Sequence, residues 1–465
     1  MTILSLETER VVRVKEFMRG SPPYKMLRNC TCLLFFVLLV SAEFFSVIVI
    51  PRTFLAAAQS DDYIVVRVGG SVVKVCQLVG DFDIERNQST LGLTFTRYGV
   101  AGTDLGVSFD HGGELVFLFG DTVGRNSFPL SGKDDSFAHS SDESVADGLN
   151  LTFYTGVPSR FLPPIVLNVT QGPFEVPMEG VDVNGKAYVY FTINHTDQRK
   201  MGGSILARLD DSSMNFTYLY TLPQDKFINV HIAKVNNSLM SGLPDTSGEG
   251  LLLWGSGEYR GSDPCLAYMP LDSIENLSTI RYFAGANQTG YPIWSQNESD
   301  AQALFHDPVI GELSVAWNPY LQRWIMLYSG VSMRSSLLPW GNWSPKQTLF
   351  NPFTDGGYGH FIHLPGYDNI TDPGRTNEIG GPYGPYLIDK FTSRNNETST
   401  VYFTLSTWNP YTTVLMKAEL ELKPLEPIPE YPNPLPILVS IPLFLVPIAF
   451  VRLIKHRKHF TFPFS

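Results

Sequence analysis

The sequence predicts an all-β protein built as a five-bladed β-propeller, and three observations carry that expectation. Five short runs rich in Val, Leu, Phe, Tyr and Trp recur at residues 114–119, 186–192, 250–254, 323–328 and 400–404, and such residues pack well on a pleated surface. A turn signal precedes each run: Gly112-Gly113, Asn184-Gly185, Gly248-Glu249, Asn318-Pro319 and Asn395-Asn396. Each run therefore reads as the second strand of a hairpin. Their starts lie 64 to 77 residues apart with no long amphipathic helix between them. Five blades of about seventy residues, each with four antiparallel strands, need about 350 residues, and residues 59–434 supply 376. A large β-sandwich is the competing architecture.

Composition narrows the function. Hydrophobic residues make up 43% and charged residues 17% of the 465, with 39 Gly and 33 Pro, which excludes disordered, collagenous and coiled-coil classes. The net charge is −11, yet residues 59–434 alone hold 23 basic and 41 acidic side chains. A body at −18 repels phosphate backbones, so nucleic acid is not an expected partner, whereas neutral ligands such as sugars meet no penalty.

The two ends read as membrane segments. Residues 33–50 are apolar apart from Ser41, Ser46 and Glu43, and follow Arg10, Arg13, Lys15, Arg19, Lys25 and Arg28. That pattern is a signal sequence or signal anchor with its positive flank in the cytosol, and Ala56-Ala57-Ala58 offers a cleavage site. Residues 435–454 form a second apolar run, followed by Lys455, His456, Arg457 and Lys458, which fits a stop-transfer helix with lipid as its partner. The expected organisation is a leader and signal over 1–58, a propeller over 59–423, a Pro-rich stalk over 424–434, a membrane helix over 435–454 and a basic cytosolic tail over 455–465.

Within residues 59–434 twelve asparagines stand in Asn-x-Ser/Thr sequons: Asn87, Asn150, Asn168, Asn194, Asn215, Asn236, Asn276, Asn287, Asn297, Asn342, Asn369 and Asn396. So many point to a glycosylated body in the secretory pathway or outside the plasma membrane. Cys76 and Cys265 fall in distant parts of the ring and are expected to be free buried thiols, while Cys30 and Cys32 lie beside the first apolar run.

The chemistry concentrates at the first hairpin, from Gly102-Thr-Asp104-Leu-Gly106 to Phe119-Gly-Asp121-Thr122. With Gly112-Gly113 as a two-residue turn, paired positions sum to 225 and Asp104 falls opposite Asp121. Carboxylates that close do not both ionise easily, so one can hold a proton while the other stays anionic, as glycosidic cleavage requires. The plain alternative is that both cap turns at the strand ends.

Glu312 lies about eight residues before its own turn, as Asp104 does, so both are expected at similar height on innermost strands and able to reach one ligand. Glu175 and Glu179 of blade two lie at other heights. Tyr259, Arg260 and Ser262 in a Gly-rich turn, with Glu179, Trp317 and His360, complete the expected substrate contacts. His360 and His363 sit in a Gly- and Pro-rich loop near Asp355 and are not read as metal ligands. No zinc helix, phosphate loop or Gly-x-Ser-x-Gly elbow is present, and neither metal nor cofactor is expected.

The stretches Gly102-Thr-Asp-Leu-Gly106, Phe119-Gly-Asp-Thr122, Gly185-Lys-Ala-Tyr-Val-Tyr-Phe191, Gly255-Ser-Gly-Glu-Tyr-Arg260 and Gly311-Glu-Leu-Ser-Val-Ala-Trp-Asn-Pro-Tyr-Leu321 resemble a family of secreted proteins long described only as a domain of unknown function. Members of that family have been linked to endo-D-arabinanase activity. The resemblance covers most of residues 95–415. It implies a five-bladed propeller glycosidase in which Asp104 and Asp121 are the natural catalytic carboxylates; Cys265 stands where the family pattern tends to have an aromatic. The expected function is thus a membrane-tethered glycoside hydrolase acting on a cell-wall or furanoside-containing polysaccharide. A non-catalytic carbohydrate-binding or adhesion ectodomain is the alternative on the same scaffold.

Overall fold

Each of the five hydrophobic runs is the second strand of a blade, and each is largely apolar because both of its faces are buried. In the computed structural model, residues 62–425 are described apart from 125–133, 158–159, 173–174 and 195–201. Blade one contains Leu105–His111, Glu114–Thr122, Asp134–Ser140 and Thr152–Phe153. Blade two contains Pro177–Val183, Lys186–Ile193, Gly203–Asp210 and Asn215–Thr221, with Val166–Leu167 added in parallel at its outer edge. Blade three runs from Asn229–Asn236 through Glu249–Ser256, Cys265–Pro270 and Arg281–Ala286 to Pro292–Ser295. Blade four contains Leu313–Asn318, Arg323–Tyr328, Ser332–Ser336 and Gln347–Thr348. The first strand of each blade is innermost, and the inner strands of consecutive blades are neighbours around a closed ring.

Blade five closes that ring. Its strands Pro382–Leu387, Thr398–Thr407 and Thr412–Pro424 come from the end of the propeller, while Tyr63–Arg67 and Val73–Gln77, from its beginning, both pair antiparallel with Thr412–Pro424. The junction joins sequence-distant segments into one sheet, so the last strand presents no open edge along its length.

Side-chain alternation then builds five cores, one in each gap between blades. Phe117 and Phe119 enter the core between blades five and one, whereas Val116 and Leu118 of the same strand enter that between blades one and two. Leu251 and Leu253 face blade two; Leu252 and Trp254 face blade four. Ile325 and Leu327 pack with Phe403 and Leu405 of blade five. A strand buried on both faces shows no polar alternation, which explains why these runs stand out in the sequence.

One turn is longer than a tight turn and one differs from expectation. Gly248-Glu249 closes the hairpin of blade three at the end of a loop that begins with a short 3-10 turn at Asn237–Leu239. Asn395-Asn396 joins an accessory strand, Ser393–Asn395, to Thr398–Thr407; the inner strand of blade five is Pro382–Leu387, further upstream. Cys76 and Cys265 are free and buried, and burial raises each thiol to about 11. Among the described residues no helix is long and apolar enough to cross a membrane. The apolar runs at 33–50 and 435–454 and the stalk from residue 426 lie outside the described residues.

Closure makes a specific demand. Leu420 is fully buried and pairs with Arg67 on one side and Ser399 on the other. Leu420→Ala is expected to lower unfolding free energy by about 2–5 kcal/mol in a denaturant titration. Val73→Ser, at an exposed position of the same sheet, should change it by no more than about 0.5 kcal/mol.

Candidate active site

The beginnings of the inner strands face one mouth of the ring. Asp104 immediately precedes Leu105–His111, Glu312 immediately precedes Leu313–Asn318, Asn229 opens blade three's inner strand, and Tyr383 is the second residue of Pro382–Leu387. These four line one cavity of about 690 Å³, together with Asp121, Val176, Met178, Tyr259, Arg260, Trp408 and Tyr411. All five blades contribute to its wall. The structure thus brings Asp104, Asp121 and Glu312 together, and it does so by the shared height expected of inner-strand starts.

The first hairpin departs from its expected register. From His111↔Glu114 to Val107↔Leu118 the pairing follows the sum of 225, but the register then shifts and Leu105 pairs with Phe119. One residue is absorbed at Gly106, whose φ is +99°, and Leu105 itself is left-handed at φ +64°. Asp104 therefore lies opposite Gly120, its carbonyl accepting the Gly120 N–H at 3.2 Å, and not opposite Asp121 as the uninterrupted hairpin implied.

Gly120 is required there. A Cβ on it would sit 2.5 Å from Asp104 Oδ1. A left-handed Leu is unfavourable by about 1–2 kcal/mol, and the ring holds it in place: Leu105 is buried, and its N–H donates to Ser406 Oγ of blade five at 2.7 Å.

Glu312 is held by the Gly-rich turn of blade three. Tyr259 Oη donates to Glu312 Oε1 and Arg260 Nη2 donates to Oε2 at 3.3 Å. The Arg260 guanidinium lies 4.8 Å from the centre of the Tyr259 ring, and the Arg260 N–H donates to the Ile310 carbonyl at 2.9 Å. Here too a glycine makes room, since a Cβ on Gly311 would meet the Tyr259 ring at 2.7 Å.

The electrostatics single out Asp104. Burial, then the charge of Asp121 and more weakly that of Glu312, raise its carboxyl to about 8, against hydrogen bonds from Tyr383 and Tyr411 that lower it. Tyr383 Oη donates to Asp104 Oδ2 at 2.9 Å, and Tyr411 Oη donates to the Asp121 carbonyl at 2.9 Å. Burial and the charge of Asp104 hold both phenols well above their ordinary values, so they act as donors. Asp135, on the third strand of blade one, is a further carboxyl in this group. Burial, then the charges of Asp121 and Asp104, push it well above the ordinary range. Arg260 is held above its ordinary value: burial alone would lower it, but Glu312 and Tyr259 outweigh burial.

Four expected contacts lie elsewhere. Ser262 bridges to Ile310 and donates from Oγ to the Glu258 carbonyl at 3.0 Å, bracing the turn beneath Arg260. His360 is exposed, 3.6 Å from Glu85, because its loop packs beside the N-terminal strands. His363, by contrast, is buried between Asp368 (2.5 Å) and the Thr376 carbonyl (2.9 Å) and pins that loop. Trp317 and Glu179 line another cavity of about 300 Å³ beside His231 and Asp389. Glu179 is the third residue of its inner strand and Trp317 the fifth, so both lie deeper along the ring than the strand starts.

Tyr383, Tyr411, Trp408 and Asp135 were missed. Tyr383 follows Gly380-Gly381-Pro382, a turn opening an inner strand, and that signal was hidden by placing the blade-five hairpin at Asn395-Asn396. Among the described residues no group of three or more His, Cys, Asp or Glu is arranged to hold a metal ion.

The Glu179 cluster has a structural reading. His231 Nε2 lies 2.8 Å from the Val315 carbonyl, which can only accept, so Nε2 carries a proton; Nδ1 contacts Glu179 Oε2, and that contact needs a second proton. Burial alone would lower the histidine, but the charge and hydrogen bond of Glu179 outweigh it and the net direction is upward. Burial raises nearby Asp389 to about 7.

Glu179→Gln should destabilise the chain by about 3–5 kcal/mol, the usual result of breaking a buried pair. Because His231 is raised in the folded state, its contribution is complete below pH about 6.5 and is lost as pH rises through the folded value. The penalty measured by denaturation should therefore shrink with rising pH.

A five-bladed propeller whose ring opens on an acidic, aromatic-lined cavity is the class that fold and site define. The chain belongs to the DUF4185 family, described as a domain of unknown function, which it matches over residues 90–417. It is similar to notoamide biosynthesis cluster protein J of Aspergillus sp. (strain MF297-2), at 27% identity over 305 residues covering 57% of this chain and 76% of that protein. Among solved structures, a protein of Bacteroides ovatus ATCC 8483 aligns at 12% identity and a TM-score of 0.46, covering 70% of this chain and 87% of that one. An exo-1,5-alpha-L-arabinanase from a bovine ruminal metagenomic library aligns at 10% identity and 0.35, covering 71% and 99%.

Proposed function

We propose that this chain is a glycoside hydrolase acting on a neutral glycan, a cell-wall or furanoside-containing polysaccharide of the arabinan kind. The observation that carries the reading is Asp104, a carboxyl raised to about 8 in one cavity with two further carboxylates. Glycosidic cleavage needs a group that protonates the leaving oxygen and a second carboxylate that serves the anomeric carbon or the attacking water. Asp104 supplies the proton at neutral pH. Asp121, whose charge acts most strongly on it, is the second carboxylate. Glu312, fixed by Tyr259 and Arg260, positions substrate and assists proton transfer.

The cavity's character supports a neutral sugar. Three carboxylates and one guanidinium stand among its described lining residues, a balance that disfavours anionic sugars. Trp408, 40% exposed at the rim with Arg375 4.5 Å from its ring, offers an apolar surface for a sugar ring. The volume lies within the ordinary range for ligand sites, about 300–1,000 Å³.

The same reading places the propeller in the secretory pathway or outside the cell, tethered through residues 435–454. None of the twelve sequon asparagines is buried, whereas Asn229, Asn237, Asn318 and Asn409 are buried among the eight other described asparagines. None of the twelve lines the carboxylate cavity.

New reducing ends released from a panel of cell-wall glycans by the full chain test the reading. Asp104→Asn and Asp121→Asn should each lower turnover by about 10²–10⁴-fold, with Glu312→Gln less damaging. Activity should decline as pH rises through about 8, where Asp104 loses its proton. Near-full activity in both Asp variants would remove the assignment, and binding without cleavage would make the cavity a carbohydrate-recognition site.

A stability measurement gives the opposite sign. Between about pH 4 and 8 the folded chain binds the Asp104 proton more tightly than the unfolded chain, so stability falls as pH rises through that window. Asp104→Asn removes this loss. The variant should therefore gain stability relative to wild type between pH 5 and pH 8 in thermal unfolding, while remaining inactive.

A further inference from the structure

A second cavity, of about 600 Å³, opens between blades three and four, away from the carboxylates. The indole rings of Trp317 and Trp324 stand in its wall, centroids 5.6 Å apart, and Trp324 is 2% exposed with its indole N–H buried and without a partner. The rim is apolar and open: Leu239 is 74% exposed and Tyr291 43%. Exposed apolar side chains clustered over aromatic rings mark a surface that something covers. Asn236, the asparagine of the sequon Asn236-Asn237-Ser238, lines this same groove and is exposed at the end of the inner strand of blade three.

The local geometry of Asn236 suits attachment. Its Oδ1 accepts from the Ser238 N–H at 3.0 Å and from Ser238 Oγ at 2.6 Å, a turn that orients the amide and engages its oxygen. The same hydroxyl-to-amide bond recurs at Asn276 with Ser278 (2.8 Å) and at Asn287 with Thr289 (2.7 Å). Transfer from a lipid-linked oligosaccharide pyrophosphate would form the bond from Asn236 Nδ2 to the anomeric carbon as the carbon–oxygen bond to pyrophosphate breaks. One proton leaves the nitrogen, and the lipid pyrophosphate is the leaving group.

We propose that the N-linked glycan of Asn236 folds back into this groove and is its resident occupant, the core sugars covering Leu239 and packing against Trp317. Attachment puts the first sugar at the groove's own wall, so little freedom is lost on packing. The C–H faces of sugar rings suit indole surfaces. The inference rests on the secretory reading and is independent of the chemistry assigned to Asp104.

The test uses the full chain made in a secretory host, with occupancy determined site by site by mass spectrometry. Asn236 should be occupied. Under native conditions an N-glycan amidase should release its glycan about tenfold more slowly than that of Asn276, equivalent to about 1.4 kcal/mol of protection, with the difference vanishing on denaturation. Leu239→Ser, at an exposed position, and Trp317→Ala should each bring the Asn236 rate towards that of Asn276. Asn236→Gln should lower the thermal midpoint and Asn276→Gln should not. If no sequon is occupied, the secretory reading and this proposal fall together. Occupied sequons elsewhere with an empty Asn236, or equal native release at Asn236 and Asn276, would overturn the groove alone.

Discussion

Pairing of Thr412–Pro424 with Tyr63–Arg67 and Val73–Gln77 is the constraint on which the rest of the molecule depends. A propeller blade buries both faces only if it has a neighbour on each side, so five cores require a ring without a gap. Once the first and last segments share a sheet, Phe119 of blade one and Leu415 of blade five belong to one core, and the inner strands are held around a common axis. That geometry carries Asp104 and Glu312, more than two hundred residues apart, to the wall of one cavity.

The candidate site stores unfavourable free energy that this closure holds in place. Leu105 is left-handed beside Asp104, Arg260 is left-handed at φ +52° above Glu312, and Asp104 itself is kept neutral by burial and like charge. Each is unfavourable alone, and each is fixed by a neighbouring blade: Leu105 by Ser406 and Asp104 by Tyr383, both of blade five, and Arg260 by Glu312 of blade four. Strain and perturbed carboxyls gathered at one mouth are the usual mark of a functional site. Here the glycines at 120 and 311 are part of that machinery, because a methyl group at either would displace a side chain of the site.

The interior of the ring shows the contrasting use of the same residue types. Glu179 and His231 are also buried, but they face one another and the Val315 carbonyl, so protons and acceptors match. Asp104 instead meets the neutral hydroxyl of Tyr383 and the charge of Asp121. The surroundings of an acidic side chain in this ring thus set its character, and residue type and spacing do not reveal them.

The period of the β runs was legible in the sequence, because a strand buried on both faces is apolar along nearly its whole length, as residues 115–119 and 324–328 are. The shared height of Asp104 and Glu312 was legible too, since both stand at a similar distance before a turn. Tertiary structure alone decided the rest. The shift at Gly106 moves Asp104 from Asp121 to Gly120, and it arises where Leu105 packs against blade five, a contact invisible along the chain. Tyr383 and Tyr411 enter the site from a strand and a turn of blade five, whose place in the ring depends on closure. Glu179 and Trp317 fall to another cavity because depth along an inner strand, set by the ring and not by residue type, decides which ligand a side chain can meet.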